Sequence, residues 1–253
     1  MNNQSWQLPE PIEAISFDCD STLSSIEGID ELAKFNGCES AVNQLTEEAM
    51  STTGLNEALY TKRLNLVKPT LQQSQQLAQS YYDNLSKDLE AVITVFHALN
   101  KSIYIISAGH QPSVSLFAQK LNLSQDNTFA VQLFFHENGH YHDYDHSTPL
   151  TKKNGKNTVI KKLKEMHKNL IHIGDGINDI ETKNEVTRFI GYGGHVIREK
   201  VLNDSQFYVS CQSMLPLLPL CLTAEEAQNL DRTNKDHYEQ GLELLNQEVR
   251  IKD

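Results

Sequence analysis

The chain has 253 residues, with 33 acidic against 22 basic side chains and a formal net charge of −11. No long basic run offsets that charge, which argues against a nucleic-acid partner. Hydrophobic residues make up 39%, enough for one good core and against wholesale disorder. The opening "MNNQSWQLPEPIEA" has no basic segment followed by an apolar core. The late apolar run "MLPLLPLCL" falls far short of the ~20 residues a membrane span needs, so no membrane partner is expected. Cys19, Cys38, Cys211 and Cys221 form no CxxC pair, and a reducing cytoplasm is the expected setting.

In chain order, "AISF" at 14–17 reads as a short buried strand. Residues 24–85 then carry helical patterns and no strand. "IEGIDELAKF" puts Ile26, Ile29, Leu32 and Ala33 on one side, "ESAVNQLTEEAM" and "LNEALYTKRLNLV" repeat the pattern, Pro69 breaks it, and "TLQQSQQLAQSYYDNL" resumes it. Such a block reads as an inserted helical cap. Alternation follows. "LEAVITVFHALN" is a helix, "SIYIIS" a strand ending at Ser107, and "PSVSLFAQKLN" a helix. "TFAVQLFFHENGHYHDYD" has Asn-Gly between alternating stretches, a hairpin signal, with a small hairpin cap placed at 130–146. "NTVIKKLKEMH" is a helix, "LIHIGD" a strand ending at Asp175, "RFIGYGG" a strand, 196–203 a helix and "QFYVS" a last strand. Strands alternating with helices predict an α/β fold, a Rossmann-like parallel sheet covered on both faces. The core is assigned to 12–23 and 86–222, and 223–253 to a charged helical tail docked on its own chain.

The chemistry gathers at strand ends. Successive strand side chains alternate, so Asp18 and Asp20 in "FDCDST" are expected to project the same way. Two carboxylates this close raise one another's pKa unless a cation sits between them, and oxygen ligands suit Mg²⁺. An Asp/Ser-rich turn is the plain alternative. "GDGIND" adds Asp175, Asn178 and Asp179, and "SAG" adds Ser107, Ala108 and Gly109. The carboxyl ends of parallel strands share one edge, where open sheets bind ligands. Backbone N–H groups of "SAG" form a candidate anion cradle, and Lys156, at a helix start, can reach a phosphoryl group. Acidic metal site, anion cradle and lysine together point to phosphoryl transfer. The histidine-rich "FFHENGHYHDYDH" is read as an exposed polar hairpin, since its spacing follows no tight ligand pattern.

"FDCDST", "SAG", Lys156 and "GDGIND" resemble, in order, the four motifs of the haloacid dehalogenase superfamily. "FDCDSTLSSIEGIDELAKFNG", "TKRLNLVKP", "GKNTVIKKLK" and "FIGYGGHVIR" resemble more closely its phosphoserine phosphatase branch, over about 12–220. The resemblance implies hydrolysis of O-phospho-L-serine to serine and phosphate through an aspartyl phosphate, the last step of serine biosynthesis by the phosphorylated pathway. It implies Asp18 as nucleophile and Asp20 as general acid and base. Mg²⁺ would be held by Asp18, the Asp20 main-chain carbonyl and Asp175, with Asp179 supporting. Ser107, Ala108, Gly109, Lys156 and Asn178 would hold the phosphoryl group. Glu27, Arg63 and Met50 would contact the substrate, Glu27 at its ammonium and Arg63 at its carboxylate. The family usually carries "SGGF" where this chain has "SAGH", so Ala108 and His110 depart from it. The expected partner is a small phosphomonoester, and the expected assembly a monomer or homodimer. The rivals are a related Mg²⁺-dependent phosphatase or phosphotransferase for phosphoethanolamine or phosphothreonine, and a signalling module that keeps a phosphorylated aspartate.

Overall fold

The computed structural model describes residues 6–47 and 56–252. Its strands are β1 (Ala14–Phe17), β2 (Ser102–Gln111), β3 (Thr128–Phe135), β4 (Tyr141–Tyr144), β5 (Leu170–Gly174), β6 (Arg188–Tyr192), β7 (Phe207–Val209) and β8 (Val249–Ile251). They form one sheet in the order β4-β3-β2-β1-β5-β6-β7-β8. Pairing is parallel from β3 through β7 and antiparallel at both edges. The expected α/β architecture is therefore present, with a mixed sheet rather than a purely parallel one.

β1 lies at the centre, with Phe17 opposite Ile105 on one side and Ile173 on the other. All four of its residues are buried. Ser16 is tolerated there because its hydroxyl meets His172 Nδ1 at 2.8 Å. The chain leaves β1 toward β2 and β3 on one side and takes up β5 to β7 on the other. The strand order thus reverses between β1 and β5, which opens a crevice at their carboxyl ends.

Helices α1 (Gly28–Phe35), α2 (Glu39–Glu47), α3 (Glu57–Val67) and α4 (Leu71–Asp83) follow β1, with no strand between them among the described residues. The two ends of this insertion run side by side: Ser25 N donates to Asn84 O at 2.9 Å and Ser86 N to Leu23 O at 3.0 Å. α3 ends on Lys68 in the left-handed region, φ 43°, just before Pro69, which cannot continue a helix. α4 then starts from a Thr70/Gln73 capping box and buries Ser74, Leu77, Ala78 and Tyr81 at helical spacing.

α5 (Leu89–Ala98), α6 (Ser113–Lys120), α7 (Gly155–Leu163), α8 (Ile177–Ile180), α9 (Glu199–Asp204) and α10 (Leu217–Cys221) flank the sheet. α4 sits on α6, where Tyr81 and Phe117 have ring centroids 5.3 Å apart. The tail forms α11 (Ala224–Gln228), α12 (Arg232–Glu248) and β8. α12 buries Tyr238, Gly241 and Leu245.

Two expectations differ from the structure, the end of β2 and the all-helical tail. β2 does not stop at Ser107; it runs on to Gln111 across a register shift between Ile106 and His110. The hairpin expected at 130–146 is formed by β3 and β4, and β3 joins it to the main sheet by pairing with β2 through Gln132 and with β4 from Leu133 onward. The tail is not helix alone, since β8 pairs with β7. No described helix is long and apolar enough to cross a membrane, and the four cysteines are free.

Candidate active site

β1 ends at Phe17, and Cys19–Leu23 forms a tight irregular turn with Ser21 in the left-handed region at φ 52°. Asp18 and Asp20 therefore do not sit on the strand as expected. Both keep extended backbones, at φ −69°, ψ 163° and φ −64°, ψ 135°, but their carboxylates go to different partners. Asp18 Oδ1 accepts from Cys19 N at 2.8 Å and lies 2.7 Å from Lys156 Nζ. Asp20 Oδ1 accepts from Gly28 N at 2.6 Å and Tyr81 OH at 2.7 Å, and its Oδ2 from Ser107 Oγ at 3.2 Å.

β5 delivers Asp175 and Asp179 to the other side of the crevice. Gly174 and Gly176 permit this turn. A Cβ on Gly174 would stand 2.2 Å from Asp179 Cγ, so no larger residue fits without moving that carboxylate. Asp175 accepts from Thr22 Oγ1 at 3.2 Å and pairs with Arg198 Nε at 2.9 Å. Asp179 is the most heavily bonded: Oδ1 meets Lys156 Nζ at 2.5 Å and His172 Nε2 at 2.9 Å, and Oδ2 accepts from Gly176 N at 2.9 Å.

Asp18, Asp175 and Asp179 offer oxygens all within 4.8 Å of one another. Burial, reinforced by Asp179, lifts the Asp18 pKa well above the carboxylate range, with Lys156 only partly offsetting it. Burial lifts Asp175 to about 6 despite Arg198. Both shifts mark negative charge that the protein leaves uncompensated, and a hard dication with oxygen ligands fits it. The Asp20 carboxylate stands outside this cluster. The expectation of a cation between the Asp18 and Asp20 side chains is thus corrected.

Beside Asp20 lies a small cavity of about 20 Å³, lined by Asp20, Glu27, Tyr60, Arg63, Ala108, Gly109 and His110 among others. Ser107 donates to Asp20 and accepts from Gly109 N at 2.8 Å. Glu27 Oε1 accepts from Ser21 Oγ at 2.7 Å and lies 3.4 Å from an Arg198 nitrogen. Desolvation, then the fields of Asp20 and Asp175, raises Glu27 to about 8. Arg63 is buried and reaches Thr46 Oγ1 at 3.4 Å. Asn178, on α8, has a buried Oδ1 without a partner. Met50 lies outside the described residues.

Sequence reasoning assigned no role to Arg198, Tyr81 or His172. Arg198 joins Asp175 to Glu27, and Tyr81 ties the insertion to Asp20. His172 spans from Ser16 to Asp179. Each was visible only as a polar residue in an otherwise patterned stretch, and contacts separated by 61 residues for Tyr81 and 171 for Arg198 leave no local signature.

The sequence matches the haloacid dehalogenase-like hydrolase family model over residues 12–184. The phosphoserine phosphatase of Bos taurus is 38% identical over 200 residues, covering 78% of this chain and 89% of that protein. The phosphoserine phosphatase of Homo sapiens gives the same figures. Among solved structures, a phosphoserine phosphohydrolase-like protein from Francisella tularensis subsp. tularensis SCHU S4 aligns with a TM-score of 0.72 at 26% identity, covering 79% of this chain and 96% of that one.

Proposed function

We propose that this chain, which belongs to the haloacid dehalogenase-like hydrolases and within them to the phosphoserine phosphatase family, hydrolyses O-phospho-L-serine to serine and inorganic phosphate through an aspartyl phosphate. The observation that carries this reading is the cavity that sets Glu27 and Arg63 around Asp20. An amino acid offers one ammonium and one planar carboxylate, and an acidic and a guanidinium group lining one cavity match that pair.

On this reading Asp18 attacks phosphorus in line, and the bond from phosphorus to the serine oxygen breaks. Asp20 gives that oxygen a proton. It then takes a proton from the water that attacks the aspartyl phosphate, which frees phosphate and restores the Asp18 carboxylate. Ser107, Lys156, Asn178 and the main chain of Ala108 and Gly109 hold the phosphoryl oxygens. Asp18, Asp175 and the Asp20 carbonyl would hold Mg²⁺, with Asp179 supporting them, and the ion supplies neutralisation of the substrate's negative charge. We place the reaction in the cytoplasm, at the last step of serine biosynthesis by the phosphorylated pathway, in a monomer or homodimer.

The test is phosphate release from a panel of phosphomonoesters, with Mg²⁺ and with a chelator. The expected result is the highest kcat/KM for L-phosphoserine and no activity with chelator. A panel led by phosphoethanolamine or phosphothreonine overturns the substrate. A stable phospho-protein without turnover favours the signalling module.

A further inference from the structure

Among the described residues, eight buried side-chain polar atoms have no hydrogen-bond partner, and three of them belong to residues on the wall of this one small cavity: Tyr60 OH, Arg63 Nε and His110 Nδ1. Tyr60 is 2% exposed, Arg63 4% and His110 2%. A buried polar group without a partner is costly, so three around one cavity mark a surface built to be completed by a ligand. The three lie together: the Arg63 guanidinium carbon is 5.9 Å from the Tyr60 ring centroid, and the Tyr60 and His110 rings are 6.1 Å apart.

The chemistry of the missing partner follows from what these atoms can do. Arg63 Nε only donates, and Tyr60 OH can donate. The His110 ring is neutral, because burial and the Arg63 guanidinium push its pKa down to about 3. A neutral imidazole carries its single hydrogen on one nitrogen or the other. A carboxylate accepts only, through two oxygens with room for several donors. With the hydrogen on Nδ1, all three groups serve it. With the hydrogen on Nε2, the Nδ1 lone pair would face an anion.

We infer that Tyr60 and His110 are specificity-determining residues that join Arg63 in receiving the substrate carboxylate, Tyr60 through its hydroxyl and His110 through Nδ1–H. This rests on the phosphoserine reading above and adds to it. The chain therefore selects phosphomonoesters that bear a carboxylate over those with only an ammonium.

The experiment measures KM and kcat on L-phosphoserine and on phosphoethanolamine for the wild type and for Tyr60→Phe, His110→Phe, His110→Asn and His110→Gln. Asparagine can place an amide nitrogen near Nδ1, whereas glutamine places one near Nε2. Tyr60→Phe and His110→Phe are each expected to lower the phosphoserine-to-phosphoethanolamine ratio of kcat/KM by about tenfold, the size of one hydrogen bond to a charged group. The loss should fall on KM. His110→Asn should recover most of the ratio and His110→Gln little of it. An unchanged ratio in both phenylalanine variants overturns the inference, as does equal recovery by asparagine and glutamine. A wild type that turns over phosphoethanolamine but not phosphoserine overturns the substrate reading itself, a distinct result.

Discussion

One buried ammonium joins two motifs: Lys156 Nζ is 2.7 Å from Asp18 Oδ1 and 2.5 Å from Asp179 Oδ1. Burial pushes the pKa of this lysine down. The fields of Asp179 and Asp18 overcome that and hold its pKa above the usual lysine range. Asp179 is held below the usual carboxylate range, because Lys156 and His172 outweigh its own burial. Lys156→Met removes the cation and leaves both carboxylates buried. It should cost ~3–5 kcal/mol of stability and lower kcat by about 10³-fold. Urea unfolding and steady-state kinetics check the two separately, and a kcat within tenfold of wild type would remove Lys156 from the phosphoryl site.

Arg198 spans Asp175 and Glu27, so it couples the acidic cluster to the cavity. Arg198→Ala leaves Asp175 without its cation and should lower the melting temperature by ~6–12 °C, from about 3 kcal/mol lost. Arg198→Lys should rescue only part, since a point charge cannot serve two partners as a guanidinium fork does. Thermal scans of both variants decide, and full rescue by lysine would show that charge alone matters.

His110 gives a pH signature in stability. Its folded pKa is lowered to about 3 by burial and by Arg63, while an unfolded histidine titrates near ~6.5. Between those values the unfolded chain binds the extra proton, so stability rises with pH across the window and falls on acidification. Chemical denaturation at pH 6, 5 and 4 should show the wild type losing ~1.4 kcal/mol per pH unit more than His110→Phe. Parallel curves for the two proteins would contradict a buried neutral His110.

The tail is part of the core. Tyr238 and Leu245 are 8% and 3% exposed, Gly241 lets α12 approach the Leu215 carbonyl, and β8 completes the sheet edge. Truncation after Leu222 should therefore destabilise the protein, at ~1.5–3 kcal/mol for each large apolar side chain lost from the core. Circular dichroism melting of the truncated chain tests this, and an unchanged midpoint would show that the tail is dispensable to the fold.

Much of the architecture was legible because its signals are local. The apolar run into Asp18, the helical spacing from Ile26 to Leu85 and the strand into Asp175 can each be read from a short window. Parallel topology then brings Asp18, Ser107 and Asp175 to neighbouring strands of one sheet. What was not legible depends on distant partners. β8 is three residues in a charged tail, and it becomes a strand only because β7 offers an open edge. Asp18 and Asp20 do not continue the strand alternation, because the chain turns from Cys19 onward and Ser21 takes a left-handed backbone. The insertion then supplies Tyr81 and the Gly28 N–H to Asp20, which draws its carboxylate away from Asp18. Arg198 could not be found by pattern, because a buried arginine and a solvated one look alike in sequence.

The central claim is that Asp18 carries the phosphoryl group. Rapid acid quench of the protein during turnover of ³²P-labelled L-phosphoserine, followed by peptide mapping, tests it most directly. The account predicts label on Asp18 that survives cold dilute acid but is released by alkali and by hydroxylamine, and none in Asp18→Asn, which should also have lost turnover. Label on another residue, or turnover that survives in Asp18→Asn, would contradict it.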